Sequence, residues 1–115
     1  MILLVTTDLM IQSRVSIAAQ AGNLELRVVD SCDSAIEHLA AYHPQLLLID
    51  LQTRGLDFDR LINESRNQEQ IPHTVAFAQH VQIGLLEAAR RAIGTQVMTR
   101  GEFCRQIPKI VAEKT

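Results

Sequence analysis

This sequence of 115 residues has few aromatic side chains and almost no excess of charge of either sign. Aromatic residues make up 3% of the chain and tryptophan is absent, which argues against the stacking surfaces that bind single-stranded nucleic acids. A net charge of −2 argues against a basic face for a nucleic-acid backbone or an anionic membrane. We therefore expect neither a nucleic acid nor a membrane to be a partner of this protein.

Cysteines and long apolar runs are also scarce. Cys32 and Cys104 are far apart and lack metal-type spacing, which predicts two reduced thiols in a cytoplasmic protein. The apolar run at residues 1–5 is too short for a signal peptide or a membrane span. Hydrophobic residues nevertheless reach 47%, and a chain of this length has room for one core but not for two. The sequence predicts a single domain over residues 1–115 with an aliphatic core.

The most informative stretch lies at residues 44–50, where Pro44 and Gln45 precede four apolar residues and then Asp50. A short apolar run between turn signals is typical of a strand that is buried on both faces of a parallel sheet. Asp50 then lies at the carboxyl end of that strand, where open α/β folds keep their functional sites. The simpler interpretation is that Asp50 only caps a loop or the next helix.

The rest of the chain alternates between strand and helix patterns. Strands are predicted at residues 2–6, 24–29, 46–50, 74–78 and 96–99. Helices are predicted at residues 10–21, after residue 33 or 34, and around residues 58–65, 85–92 and 103–111. The second helix is expected to be capped by Asp33 or by Ser34, which fits a capping box with Glu37, and Pro108 is expected to kink or delay the last helix. This alternation predicts an α/β fold, a doubly wound five-stranded parallel sheet with five helices.

In such a sheet the loops that follow the first, third, fourth and fifth strands meet at one end. They bring together the candidate site residues Thr6, Thr7, Asp8, Asp50, Gln52, Ala78, His80, Thr99 and Arg100. Asp8 and Asp50 are weak candidates for metal ligands, and His80 could join them around a transition metal. The simpler interpretation makes Asp8 the N-cap of the first helix and His80 a surface residue.

With these positions in place, the chain resembles the receiver domains of two-component response regulators. The resemblance rests on residues 2–5 as the first strand, residues 44–51 as the phosphoacceptor strand, Asp57 at the family's loop spacing, and residues 92–100 at the fifth strand. It implies a flavodoxin-like sheet with strand order 2-1-3-4-5 and a phosphorylated aspartate at Asp50. It also implies Mg²⁺ as a cofactor and a histidine kinase as a partner.

Several positions depart from the family's pattern. The acidic pair that holds Mg²⁺ after the first strand is replaced by Thr6 and Thr7, which carry no charge, so bound Mg²⁺ is doubtful. The family's switch hydroxyl is replaced by Ala78, its lysine by Arg100 and its aromatic switch residue by Val97. Because the guanidinium group of arginine can donate two parallel hydrogen bonds to a carboxylate, we expect Arg100 to pair with Asp50.

These departures favour a pseudo-receiver, a non-enzymatic signalling module without a cofactor. It would bind a protein partner through its last two helices and its fifth strand. The alternative is an atypical receiver that a histidine kinase phosphorylates on Asp50, and a third possibility is a metal or small-ligand sensor at the sheet crevice. A homodimer stays open as well. The sequence carries no output domain, so we expect either a stand-alone adaptor or one domain of a longer protein.

Overall fold

The structure is a computed structural model, and it describes residues 1–114. Within these residues, five strands alternate with five helices. The strands are β1 (Ile2–Val5), β2 (Leu26–Val29), β3 (Leu46–Asp50), β4 (His73–Ala78) and β5 (Thr95–Thr99). The helices are α1 (Leu9–Ala21), α2 (Cys32–Tyr42), α3 (Phe58–Arg66), α4 (Ile83–Arg90) and α5 (Arg100–Lys114). Among the described residues, no helix combines the length and the apolar character needed to cross a membrane.

All five strands run parallel in one sheet, in the order β2-β1-β3-β4-β5. Parallel neighbours need a crossover connection, and here each crossover contains a helix, so that helices cover both faces of the sheet. The strand order reverses between β1 and β3, which places a crevice at the carboxyl ends of these two strands. The predicted doubly wound α/β fold and its strand order 2-1-3-4-5 are confirmed.

Successive side chains of each strand enter opposite faces of the sheet, which therefore separates two apolar layers. The layer under α2, α3 and α4 takes from the strands Leu3, Val5, Val29, Leu47, Ile49, Ala76 and Ala78. The layer under α1 and α5 takes from the strands Ile2, Leu4, Leu46, Leu48, Val75, Phe77 and Met98. Phe77 stacks on Phe103 of α5 with ring centroids 4.0 Å apart. Asp50 follows Leu46 and Leu48 in this alternation, so it extends the α1/α5 layer to the edge of the sheet.

The start of α2 differs from the predicted capping box. Ser31 is the N-cap, because its hydroxyl accepts a hydrogen bond from the Ser34 backbone N–H at 3.1 Å. Ser34 is therefore already inside the first turn, and the predicted caps at Asp33 and Ser34 are wrong. The helix begins earlier than predicted because Cys32 and Ala35 are buried in the apolar layer, so its buried face already starts at Cys32.

Pro108 lies inside α5 and does not delay it. A proline in a helix interior removes the hydrogen bond to the carbonyl four residues earlier and costs about 3 kcal/mol. Phe103 and Ile107 before the proline and Ile110 after it are all buried against the sheet. This packing on both sides of Pro108 favours a continuous helix over a break, which is why the expected delay is wrong.

Candidate functional site

Asp50 ends β3 at the carboxyl edge of the sheet and is only 8% exposed. Its Oδ2 accepts a hydrogen bond from Thr6 Oγ1 at 2.7 Å, and its Oδ1 accepts one from the Gln52 backbone N–H at 3.0 Å. Thr6 follows β1, the neighbouring strand, and is also buried. Because a buried polar group without a partner costs free energy, these donors stabilise the carboxylate where it lies. Both carboxylate oxygens have partners within the protein.

The Thr6 hydroxyl is oriented by a second hydrogen bond. Its oxygen accepts the Asp8 backbone N–H at 3.0 Å, while its hydrogen is donated to Asp50. A chain of hydrogen bonds therefore runs from the beginning of α1 to the end of β3. Thr7, the second of the two threonines after β1, is exposed and takes no part in this chain.

Asp8 has two roles at the start of α1. Its Oδ1 accepts the backbone N–H groups of Met10 and Ile11 at 2.9 and 3.2 Å, which makes it the N-cap. Its Oδ2 accepts a hydrogen bond from Arg100 Nη2 at 2.5 Å. Arg100 is the first residue of α5, so this ion pair joins the amino ends of the two helices that lie on the same face of the sheet.

The predicted ion pair between Asp50 and Arg100 is therefore wrong. Arg100 pairs with Asp8, whose carboxylate lies at the more open rim of the crevice with its side chain 29% exposed. Asp50 is already bonded to the Thr6 hydroxyl and the Gln52 backbone N–H, so neither of its oxygens needs a guanidinium partner. The sequence placed the cation at the correct edge of the sheet but next to the wrong carboxylate.

The ion pair shifts the titration of both partners. Burial tends to raise the pKa of Asp8, but hydrogen bonds from Arg100, Ile11 and Met10 and the charge of Arg100 outweigh it and lower this pKa. The hydrogen bond to Asp8 is the main cause that raises the pKa of Arg100, and the negative charge of Asp50 adds a smaller contribution. Asp50 thus acts on Arg100 through space, without direct contact.

Gln52 and Gln79 link the loop after β3 to the loop after β4. The Gln79 backbone N–H donates to Gln52 Oε1 at 2.8 Å, and Gln52 Nε2 donates to Gln79 Oε1 at 3.4 Å. Both side chains are exposed and lie above the carboxyl edge of the sheet. This two-way link was not predicted, although Gln52 was among the candidate site residues. Glutamine can bond in both directions because its amide carries a donor and an acceptor.

The ends of β4 and β5 complete the site. Ala78 is fully buried and offers no hydroxyl, whereas His80 is exposed. His80 lines a shallow cavity of about 610 Å³ together with Thr99 and Arg100. The Thr99 hydroxyl and backbone N–H both donate to Glu102 Oε1 at 2.9 Å, and the Glu102 N–H donates back to the hydroxyl at 3.2 Å. The sequence contains this signal as Thr99 followed three residues later by a glutamate, the pattern of a capping box.

The donor set around Asp50 does not fit Mg²⁺. This ion needs charged oxygen ligands in near-octahedral geometry, whereas Thr6 and Thr7 offer neutral hydroxyls. Both oxygens of Asp8 are bonded to α1 and to Arg100, which removes the nearest additional carboxylate from any ligand set. Within residues 1–114, no group of three or more His, Cys, Asp and Glu side chains could hold a metal ion, so His80 does not join Asp8 and Asp50 in a metal site.

Comparison with known proteins finds similarity in structure only. No family model matches the chain, and no curated protein matches it. The receiver domain of NtrX from Brucella abortus has a TM-score of 0.76 at 21% sequence identity, over 100% of both chains. The receiver domain of a putative LuxO repressor protein from Vibrio parahaemolyticus has a TM-score of 0.78 at 14% identity, over 96% of this chain and 85% of that one.

Two further solved structures extend this comparison. A putative response regulator from Chloroflexus aurantiacus has a TM-score of 0.74 at 18% identity, over 97% of each chain. A longer NtrX chain from Brucella abortus has a TM-score of 0.78 at 21% identity. The matched region covers 98% of the present chain but only 26% of that NtrX chain. The chain thus spans about a quarter of that longer relative. At these identities the likeness shows the fold, which is that of receiver domains.

Proposed function

We propose that this chain is a pseudo-receiver, a signalling module that binds a protein partner and is not switched by phosphorylation. The observation that carries the proposal is the internal bonding of Asp50. Its two oxygens already accept hydrogen bonds from the Thr6 hydroxyl and the Gln52 backbone N–H. Each of these hydrogen bonds stabilises the negative charge on its oxygen, and this lowers the nucleophilicity of that oxygen toward a phosphorus atom.

The residues that would sense a phosphoryl group support the same proposal. Ala78 is buried at the end of β4 and cannot donate a hydrogen bond to a phosphoryl oxygen. Val97 of β5 has no aromatic ring, so no ring at this position can rotate and change the surface. A modification acts as a switch only when it stabilises one of two arrangements over the other. With neither residue able to respond, we expect one constitutive arrangement of the domain.

The face formed by α4, β5 and α5 is the proposed partner surface. Val81 and Ile83 at the start of α4 are 64% and 62% exposed, and Ile93 before β5 is 89% exposed. Arg90 and Arg91 at the end of α4 are exposed as well. Apolar side chains flanked by positive charge fit a protein partner with an apolar groove and acidic neighbours. A second copy of the chain and a histidine kinase are the other partners to be tested.

The phosphorylation test uses the intact mass of the protein after incubation with Mg²⁺ and acetyl phosphate, with Asp50→Asn as the control. We expect the masses to stay unchanged in both proteins. A mass increase that occurs in the native protein and not in Asp50→Asn would establish the second candidate, an atypical receiver phosphorylated on Asp50. Titration with Mg²⁺ alone, followed through the amide shifts around Asp50, should show no saturation at low-millimolar metal.

The partner test compares Asp50→Asn with Arg90→Glu and Arg91→Glu in a pull-down. We expect Asp50→Asn to retain the partner, since the carboxylate has no switching role, and both charge reversals to weaken binding. Loss of the partner in folded Asp50→Asn would contradict the proposal. We further propose that the protein is cytoplasmic, which agrees with its two free cysteines, and that it has no enzymatic activity.

A further inference from the structure

We infer that Gln52 is a positioning residue that holds the loop between β4 and α4 in one arrangement. The inference rests on the proposed function, since it explains how a domain without a phosphorylation switch keeps its partner face constant. Gln52 belongs to the loop after β3, and Gln79 is the first residue after β4. Gln52 Oε1 accepts the backbone N–H of Gln79 at 2.8 Å, which ties the second loop to the first.

The base from which the Gln52 side chain extends is fixed. The Gln52 backbone N–H bonds to Asp50 Oδ1 at 3.0 Å, and the Thr53 N–H bonds to the Asp50 carbonyl at 3.1 Å. Thr53 is buried, and its hydroxyl donates to the Val5 carbonyl at 3.4 Å. The carboxamide oxygen is therefore presented to Gln79 from a loop with little freedom of its own.

The loop that receives this bond needs an anchor because α4 has a weak start. Gln82 is the N-cap of α4, and its side chain makes no capping hydrogen bond. The Gln82 backbone N–H bonds instead to the Gln79 carbonyl at 2.9 Å. Gln79 thus connects the Gln52 carboxamide on one side with the first residues of α4 on the other. Since Ile83 begins the exposed face of α4, holding Gln79 also holds the partner surface.

The chemistry of the bond explains why no modification is required. A phosphoryl group on Asp50 would add oxygen acceptors to the same loop, but only while it is attached. The carboxamide of Gln52 supplies a neutral acceptor oxygen permanently. Gln52 therefore supplies permanently the kind of acceptor oxygen that phosphorylation of Asp50 would supply only while the phosphoryl group is attached.

The experiment measures amide hydrogen exchange by NMR in the full chain and in two variants. Gln52→Leu keeps a similar volume but removes the acceptor, while Gln79→Ala removes only the 3.4 Å side-chain contact and leaves the backbone bond. In Gln52→Leu we expect the Gln79 amide to exchange about three to ten times faster, the value of one net hydrogen bond. In Gln79→Ala the amide of residue 79 should keep its protection. The amide of Leu48, in the core strand, should exchange at an unchanged rate in both variants.

Two results would overturn the inference. The first is native protection of the Gln79 amide in Gln52→Leu, and the second is equal loss of protection in both variants. Faster exchange of Leu48 together with Gln79 in Gln52→Leu would show a global loss of stability and would also count against a positioning role. This outcome can be separated from that of the phosphorylation test. If Asp50 is phosphorylated in the native protein, the proposed function is refuted. If the Gln79 amide also exchanges faster in Gln52→Leu, the positioning role of Gln52 is still supported.

Discussion

At the scale of single residues, Thr6 determines the character of the site around Asp50. A carboxylate at this position would repel Asp50 and create a place for a cation. The threonine hydroxyl instead donates to Asp50 at 2.7 Å and accepts the Asp8 N–H at 3.0 Å. The hydroxyl thus gives this end of the sheet a closed hydrogen-bonded arrangement.

Replacing Thr6 by valine tests the value of this hydroxyl. Thr6→Val keeps the shape of the side chain but leaves Asp50 Oδ2 without its donor in a buried place. We expect the free energy of unfolding to fall by about 1–3 kcal/mol in urea denaturation at neutral pH. Thr7→Val is the matched control, because Thr7 is exposed, and it should change stability by less than about 0.5 kcal/mol. Equal values for the two variants would contradict the role given to Thr6.

Asp8 provides a prediction about pH at the same scale. Its pKa is lowered in the folded protein, so its charged form stabilises the fold at pH values above the unfolded pKa of 3.8. This contribution should disappear as the pH falls through the lower folded pKa. Asp8→Asn retains a capping oxygen and removes the charge that Arg100 pairs with.

Urea denaturation of the native protein and Asp8→Asn from pH 7 to pH 2 measures this effect. We expect the native protein to be more stable by about 0.5–1 kcal/mol at neutral pH, since the pair is partly exposed and screened by solvent. The difference should shrink below pH 3.8. A difference that is independent of pH would mean that the ion pair with Arg100 contributes nothing.

At the scale of elements, α5 shows how packing and capping outweigh a poor helix residue. The helix begins with reciprocal hydrogen bonds between Thr99 and Glu102, and the backbone and hydroxyl bonds from Thr99 lower the pKa of Glu102. Its interior contains Pro108, which cannot donate a backbone hydrogen bond. Buried Phe103 and Ile107 hold the helix against the sheet before the proline is reached.

Pro108→Ala should therefore stabilise the protein. Alanine restores a backbone N–H that can bond to the carbonyl of Cys104, and it is the best helix former. We expect the free energy of unfolding to rise by roughly 1–3 kcal/mol, measured by urea denaturation. Lys109→Ala serves as the control at an exposed neighbouring position, where little change is expected. A loss of stability in Pro108→Ala would show that the helix depends on the shape of the proline.

At the scale of the whole molecule, stability comes from two apolar layers on either side of one sheet. Leu48 of β3 is fully buried in the layer under α1 and α5, two residues before Asp50. The site is thus built on the end of a strand whose residues are all buried. A rigid strand allows the loop residues beyond it to be placed precisely.

Leu48→Ala should show how strongly the molecule depends on this layer. We expect it to lower the free energy of unfolding by about 2–5 kcal/mol, since the buried leucine leaves a cavity. Ile93→Ala is the control, because Ile93 is 89% exposed and its truncation should cost little in the isolated protein. Thermal or urea unfolding of both variants is the measurement. A small loss in Leu48→Ala would mean that the two layers do not stabilise the fold as described.

Local patterns in the sequence were sufficient for the architecture of the fold. Apolar runs, helical periodicity and turn residues act within a few positions along the chain, and they identified all five strands and five helices. Helix boundaries were less certain: Ser31 was missed as a cap because several nearby side chains could serve, and only burial of Cys32 selects the first turn. Asp8 was recognised as an N-cap because capping depends on neighbours in the chain.

Only the tertiary structure decided which side chains of the site bond to one another. The Thr6–Asp50 bond joins residues 44 positions apart, the Gln52–Gln79 bond 27 positions, and the Asp8–Arg100 bond 92 positions. Sequence patterns show that such residues reach the same edge of the sheet, but they carry no information on side-chain direction or on competing donors. Asp50 bonds to the Thr6 hydroxyl and the Gln52 backbone N–H, and Arg100 pairs with the Asp8 carboxylate at the rim. Each of these bonds depends on the distances and directions that the assembled sheet gives to the side chains.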